Sequence, residues 1–274
     1  MEEQMSSLFD LNGRVVVITG GTGTIGSAFA EALLNEGAKV VLWGRGKTVP
    51  VEDSVKKVAD KTGRPGNISG YKVDVSVKEE VVSGLKKVAK EIGVPEVLIN
   101  GAGGNKGKSS FIDADLELFK DILNNNLIGG LMIPTQVFAA YWIEKGIRGS
   151  IINVASSASY IPLSGVWAYG AAKSAVINLT MGAAKEFAPH GIRVNGIAPG
   201  FYIGHQNRDL LYSDYENGIL SDRGKAIIDH TPFGRFGTME DLHGSVVFLA
   251  SRKASGFITG VTIPVDGGYL VDNI

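Results

Sequence analysis

The chain has 274 residues, 44% hydrophobic and 20% charged, the balance of a folded domain rather than a disordered segment. Its formal net charge of −1 supplies no basic field for nucleic acid or an anionic membrane, and with no cysteine it can form neither disulfides, thiolate zinc sites nor a cysteine nucleophile. The acidic opening "MEEQMSSLFDLNGR" lacks the apolar core of a secretory signal and no apolar run approaches bilayer length, so the expectation is a cytoplasmic protein with no membrane association.

In chain order, short β-branched runs alternate with amphipathic stretches of helical length. A strand is predicted at 14–19 ("RVVVIT"), a helix at 27–35, a strand at 39–43 ("KVVLW"), a helix at 51–61 and a strand at 69–73. A helix follows at 78–92, a strand at 97–100, then a long helix at 116–144 interrupted near Pro134. Further strands are expected at 150–154, 193–197 and 261–265, with helices at 169–187 and 239–249. Val- and Ile-rich strands without polar alternation read as strands covered on both faces, so the pattern implies βαβ units in a doubly wound, seven-stranded parallel sheet of the Rossmann type. With no repeat or linker, residues 1–274 read as one domain. The polar, aromatic-flecked segment 201–237 breaks the rhythm and reads either as a substrate-covering insertion or as a plain surface excursion.

The first strand runs into "ITGGTGTIG", which has two registers: G-x-G-x-x-G on Gly21, Gly23 and Gly26, or T-G-x-x-G-x-x-G on Thr19, Gly20, Gly23 and Gly26. Either way, glycines allow a tight turn and close approach of a diphosphate to the helix N-terminus. At the end of the second strand an NAD-selective site commonly places an acid for the ribose hydroxyls; here Gly44 and Arg45 stand instead, a mild lean to the 2′-phosphate of NADP. Asp74 suits a polar contact to adenine.

Tyr169 and Lys173 lie one helical turn apart in "YGAAK", so they share a face. An ammonium beside a phenol favours the phenolate, which would lower the pKa of Tyr169 and suit it to proton exchange with an alcohol or carbonyl. Ser156, just past a strand, could bond the same substrate oxygen.

With "TGGTGTIG", Asp74-Val75, "NGAG" at 100–103, "NNLIG" with Asn126, Ser156, Tyr169-x-x-x-Lys173, "APG" at 198–200 and "TGVTIPVDGG", the chain resembles the short-chain dehydrogenase/reductase family over nearly its whole length. That resemblance implies NAD(P), with Tyr169 as acid/base, Lys173 depressing its pKa and holding the nicotinamide ribose, Ser156 polarising the carbonyl and Asn126 holding a relay water. It also implies a cofactor site of Gly20, Thr22, Gly23, Thr24, Ile25, Gly26, Arg45, Asp74, Val75, Asn100, Gly101, Ala102, Gly103, Tyr169, Lys173, Pro199, Gly200 and Ile203, and a homotetramer or homodimer. No metal is implied. Thr24 stands where compact members usually have glycine, Gly101 where a second Asn is usual, and Gly204 where a Thr often anchors the carboxamide.

Within the family, "INGAGGN", "IPTQVFA", "IAPGF", "QNRDLL" and "HTPFGRFG" are similar to the D-mannonate oxidoreductases (fructuronate reductases) of this family, with gluconate 5-dehydrogenases as relatives. The implied substrate is a keto sugar acid, D-fructuronate before 5-ketogluconate or another polyol or sugar acid; a non-catalytic NAD(P) sensor is the alternative of another class. A sugar acid needs a cation for its carboxylate and polar groups for its hydroxyls, for which Arg208 is the candidate clamp, with Ser156, Asn105, Lys106, His205 and Asn207.

Overall fold

A computed structural model describes residues 7–163, 165–204 and 208–272. β1 (Val15–Thr19), β2 (Lys39–Gly44), β3 (Ile68–Lys72), β4 (Pro95–Asn100), β5 (Ser150–Val154), β6 (Arg193–Pro199) and β9 (Thr262–Val265) form one sheet in the order β3-β2-β1-β4-β5-β6-β9. All six pairings are parallel, as expected of strands joined by helical crossovers. The order reverses between β1 and β4, so the crevice at their C-terminal ends is the topological switch point where open α/β sheets bind ligands.

β1, β5 and β6 are buried along their whole length, which accounts for their unalternated apolar sequences. One face packs α1 (Thr24–Asn35) and α9 (His243–Ala250) through Phe29, Leu33, Val246 and Leu249. The opposite face packs α3 (Lys78–Glu91) and α5 (Ile133–Lys145) through Val81, Leu85, Phe138 and Trp142. α2 (Val51–Thr62) covers the β2–β3 end beside α1.

The interruption predicted near Pro134 lies upstream. α4 (Leu116–Leu123) passes into a π-helical segment, Asn124–Met132, before α5 begins. Pro134 sits in the first turn of α5, where its missing N–H costs little. The wider segment instead lets Gly129 and Gly130 approach other backbone. A Cβ on Gly129 would lie 3.1 Å from Cα of Ser76, and one on Gly130 would lie 2.5 Å from the Ala102 carbonyl. A local widening of this kind re-aims side chains, here Asn126.

The stretch 201–237 carries its own elements: a helical turn α7 (Arg208–Leu211), the two-stranded hairpin β7 (Tyr212–Asp214) and β8 (Ile219–Leu220), and α8 (Asp222–Asp229). A small satellite core of Leu211, Ile227 and Phe236, flanked by Phe201, Ile203 and Tyr212, holds it together. Its two ends meet where Gly237 N–H donates to the Phe201 carbonyl at 2.9 Å. Arg235, in "GRFG", makes two bonds to Asp241 and so serves this turn. Among the described residues no helix is long and apolar enough to cross a membrane.

Candidate active site

The glycine turn connects β1 to α1, and sterics rank its residues. Gly20 has φ +64°, and a Cβ there would lie 2.6 Å from the Gly101 carbonyl; one on Gly26 would lie 2.5 Å from the Gly20 carbonyl. Both positions exclude a side chain. A Cβ on Gly23 would meet only the Gly20 carbonyl, at 3.2 Å, and otherwise opens outward. Gly23 is the N-cap of α1, no side chain caps that terminus and its first turn, starting at Thr24 and Ile25, holds no acid. The turn therefore offers uncapped amides and positive helix-dipole charge on an open approach, which fits the diphosphate of a dinucleotide. Thr22 packs against Gly44, where a Cβ would lie 2.8 Å from Thr22 Cγ2.

Thr19 gives the longer register its meaning. Its hydroxyl donates to the Ile99 carbonyl at 3.3 Å and accepts from the amides of Gly101 (3.2 Å) and Ala102 (3.3 Å). It ties the loop after β4 to the glycine turn. Gly101 stands so close to this strand that a Cβ would lie 2.8 Å from the Thr19 carbonyl, a physical reason for glycine in place of the usual Asn.

Asn100 does not turn its side chain toward the cleft. It is buried and donates to Thr135 Oγ1 and Asn153 Oδ1, both at 2.9 Å; Asn153 in turn donates to Thr180 Oγ1 at 2.8 Å. This chain of polar groups links β4, β5 and α6 (Trp167–Phe187). Asn126 is similarly committed. Its amide donates to the carbonyls of Gly104 and Ile122 at 2.8 Å, and its oxygen accepts from Gly104 N–H at 3.0 Å. No side-chain N–H remains for the expected relay water, because the π-helical segment aims this group at the loop 103–104. Gly103, at φ +155°, would place a Cβ 2.5 Å from Asn126 Oδ1 and 3.8 Å from Lys173 Nζ, so this loop runs past the lysine.

Tyr169 and Lys173 sit one turn apart on α6. Lys173 is buried and donates to the Val154 carbonyl at 2.7 Å, with its ammonium 5.7 Å from the Tyr169 ring centre. Ser156 opens the turn after β5, its hydroxyl accepting from Ala158 N–H at 3.2 Å, and Ser174 of α6 donates to the Ser159 carbonyl at 3.1 Å. That bond fixes the serine turn against the tyrosine helix.

The electrostatics correct one expectation. Burial pushes the Tyr169 phenol above its ordinary value, against a hydrogen bond with Ser156 that pulls it down. Burial also pulls Lys173 from 10.5 down to about 8. Desolvation disfavours both charged forms and sets the direction of each shift, rather than a pull of the lysine on the phenol.

At the far end of the crevice, Asp74 is held below its ordinary value. Burial, the largest influence, pushes it up, but bonds from Ser76 and the charges of Arg45 and Lys47 outweigh that. Its Oδ1 accepts from both Ser76 N–H (3.1 Å) and Ser76 Oγ (2.6 Å), so that oxygen is committed to the turn after β3. Val75 lies beside it, packed on the core face that holds Trp43. Pro199 ends β6, Gly200 N–H donates to the Val265 carbonyl at 3.0 Å, and Ile203 joins the satellite core.

Substrate candidates fare unevenly. His205 and Asn207 lie outside the described residues. Arg208 does not point a free charge into the cleft: Nε pairs with Asp209 at 3.1 Å and its guanidinium lies 5.0 Å from the Tyr215 ring centre. Both partners of this pair are exposed, so it holds the guanidinium only weakly. Asn105 and Lys106 do line a cavity of about 250 Å³ with Lys108, Ser109, Trp167 and Ala168, directly before Tyr169. Lys108 escaped sequence reasoning because its glycine-rich loop carries no periodic signal.

A family model described as enoyl-(acyl carrier protein) reductase matches residues 21–270. The chain belongs to the short-chain dehydrogenase/reductase family. Members are oxidoreductases of CH–OH groups that use NAD or NADP, and the uncapped α1 terminus fits that cofactor. An uncharacterised oxidoreductase, UxuB, of Bacillus subtilis (strain 168) is 36% identical over 95% of this chain and 96% of its own length. Gluconate 5-dehydrogenase of Gluconobacter oxydans (strain 621H) is 32% identical, with coverage of 96% and 97%. A solved structure of a provisionally named D-mannonate oxidoreductase from Haemophilus influenza, with bound NAD, superposes with TM-score 0.85 at 35% identity, covering 96% and 97% of the two chains. A gluconate 5-dehydrogenase from Burkholderia cenocepacia J2315, in complex with NADP and tartrate, gives TM-score 0.83 at 30% identity, covering 97% and 98%.

Proposed function

We propose that this short-chain dehydrogenase/reductase interconverts a keto sugar acid and its hydroxy form, with D-fructuronate and D-mannonate as the first pair. The observation that carries the reading is the Tyr169–Lys173 turn locked beside Ser156, next to a cavity whose wall carries Lys106 and Lys108. The nicotinamide, when bound, would supply the hydride. Tyr169 gives its proton to the carbonyl oxygen as charge develops there, and Ser156 donates a hydrogen bond to the same oxygen. The raised phenol pKa keeps Tyr169 protonated and ready to donate in the reducing direction. Lys173 would hold the nicotinamide ribose and stabilise the phenolate formed at transfer. Asn126 positions the loop 103–104 rather than touching the reacting groups.

Arg45 and Lys47, both close enough to act on Asp74, support NADP as the preferred cofactor. The gluconate 5-dehydrogenase relatives favour 5-ketogluconate as the second substrate to test. Exposed Leu116, Ile128 and Met181 on the α4 and α6 side support assembly as a dimer or tetramer, to be checked by light scattering, and a cytoplasmic location goes with this reading. A reduction screen over D-fructuronate, D-tagaturonate and 5-ketogluconate with NADPH and NADH tests the function. Consumption of reductant with one acid, lost in Tyr169→Phe, is the expected result.

A further inference from the structure

The Ser156 hydroxyl is aimed by the turn that it opens. Ser156 is the N-cap of the short 3-10 turn Ser157–Ser159, and the first and last residues of this turn cap each other reciprocally. The Ser156 oxygen accepts from Ala158 N–H at 3.2 Å, Ser156 N–H donates to Ser159 Oγ at 3.2 Å, and Ser159 N–H donates to the Ser156 carbonyl at 2.9 Å. A hydroxyl carries one proton beside its acceptor positions. With its oxygen seated on Ala158 N–H, Ser156 keeps that proton for a partner outside the turn, and in the cofactor-free protein the partner is the Tyr169 phenol.

Ser159 also ties the turn to the helix that carries Tyr169 and Lys173. Its carbonyl accepts from Ser174 Oγ at 3.1 Å, one residue beyond Lys173. On the other side Ser157, 2% exposed, donates to the Pro199 carbonyl at 3.4 Å, at the end of β6. Ser159 thus bonds α6 through its carbonyl and Ser156 through its hydroxyl, so the placement of the tyrosine helix reaches the serine through one residue. Removing the Ser159 hydroxyl would leave the part-buried Ser156 N–H without this acceptor and loosen the turn that seats the Ser156 oxygen on Ala158.

We propose that Ser159 is a positioning residue for the reaction: it fixes the backbone and hydroxyl of Ser156 so that the Ser156 proton meets the reacting oxygen beside Tyr169. This rests on the reading of Ser156 as a donor to that oxygen and adds the residue that aims it.

The test is a double-mutant cycle with Ser156→Ala and Ser159→Ala, read on steady-state reduction by NADPH of D-fructuronate, 5-ketogluconate and the neutral dicarbonyl 2,3-butanedione. Ser159→Ala should lower kcat about tenfold while the KM for NADPH moves less than about twofold, and Ser159→Thr, which keeps the acceptor, should restore most of the rate. In the Ser156→Ala background Ser159→Ala should cost nothing further, because its effect runs through that hydroxyl. A purely structural role would instead make the two losses multiply. Multiplying losses, or a wild-type kcat in Ser159→Ala, overturn the proposal. If Ser156→Ala itself turns over at the wild-type rate, the reading of Ser156 as donor falls and the proposal falls with it. If butanedione is reduced and neither acid is, the cycle is decided on butanedione and only the sugar-acid reading is lost. If no carbonyl is reduced, both fall.

Discussion

Replacing Lys173 with Met should make the cofactor-free protein respond differently to pH, in a direction and by an amount the burial of this lysine sets. In the native state its pKa is drawn from 10.5 to about 8 by desolvation. Below pH 8 both the folded and unfolded states hold the proton, and folding bears the full cost of burying the ammonium. Between about 8 and 10.5 the unfolded state binds more protons than the native one, so this contribution makes the wild type more stable as pH rises. A displacement of roughly 2.5 units corresponds to roughly 3 kcal/mol. Lys173→Met removes the charge but also the bond to the Val154 carbonyl, a loss of about 1–3 kcal/mol that does not depend on pH. The stability difference between the two proteins should therefore shift by roughly 3 kcal/mol in favour of wild type from pH 7 to pH 10.5. Urea denaturation of the two proteins, without cofactor, at half-unit pH steps measures it. Curves that run parallel across that window would refute the burial argument, whatever their offset.

Other outcomes follow from the same geometry. Gly26→Ala, whose Cβ would lie 2.5 Å from backbone, should lower the melting temperature, whereas Gly23→Ala, which opens toward the cofactor approach, should leave it nearly unchanged and weaken NADP binding about tenfold or more, a loss of about 1.4 kcal/mol. Arg45→Ala should raise the KM for NADPH far more than that for NADH; equal changes would remove the NADP preference. Asn126→Ala should speed amide exchange at residues 103–105 and lower kcat with little change in the KM for cofactor, since its side chain holds Gly104 at both its N–H and its carbonyl.

The centre of the sheet was legible because β1, β5 and β6 are buried along their whole length and written largely in apolar residues; all seven predicted strands appear, with ends displaced by no more than two residues. The break in the long central helix was not, because proline is a local signal and the real cause is tertiary. Gly129 and Gly130 are small so that Ser76 and Ala102 can approach from elsewhere in the fold. Tyr169, Lys173 and Ser156 were legible as a spacing, yet the direction of the tyrosine's pKa was not, since burial is a property of the packed site and here it exceeds the pull of the Ser156 hydrogen bond. Asn100 and Asn126 were visible as polar residues near glycine loops, but only the fold shows their amides spent on structure. Arg208 was singled out by its place in the insertion after β6, whereas only the fold shows its Nε paired with Asp209.

The central claim is that Tyr169 protonates a keto sugar acid while the cofactor reduces it. Single-turnover mixing of the NADPH-loaded protein with D-fructuronate, or with 5-ketogluconate, tests this most directly. The account predicts loss of the nicotinamide absorbance in the wild type, and none in Tyr169→Phe although that variant still binds NADPH. Tight NADPH binding with no turnover on any acid or neutral ketose would contradict it and make the protein a nucleotide sensor.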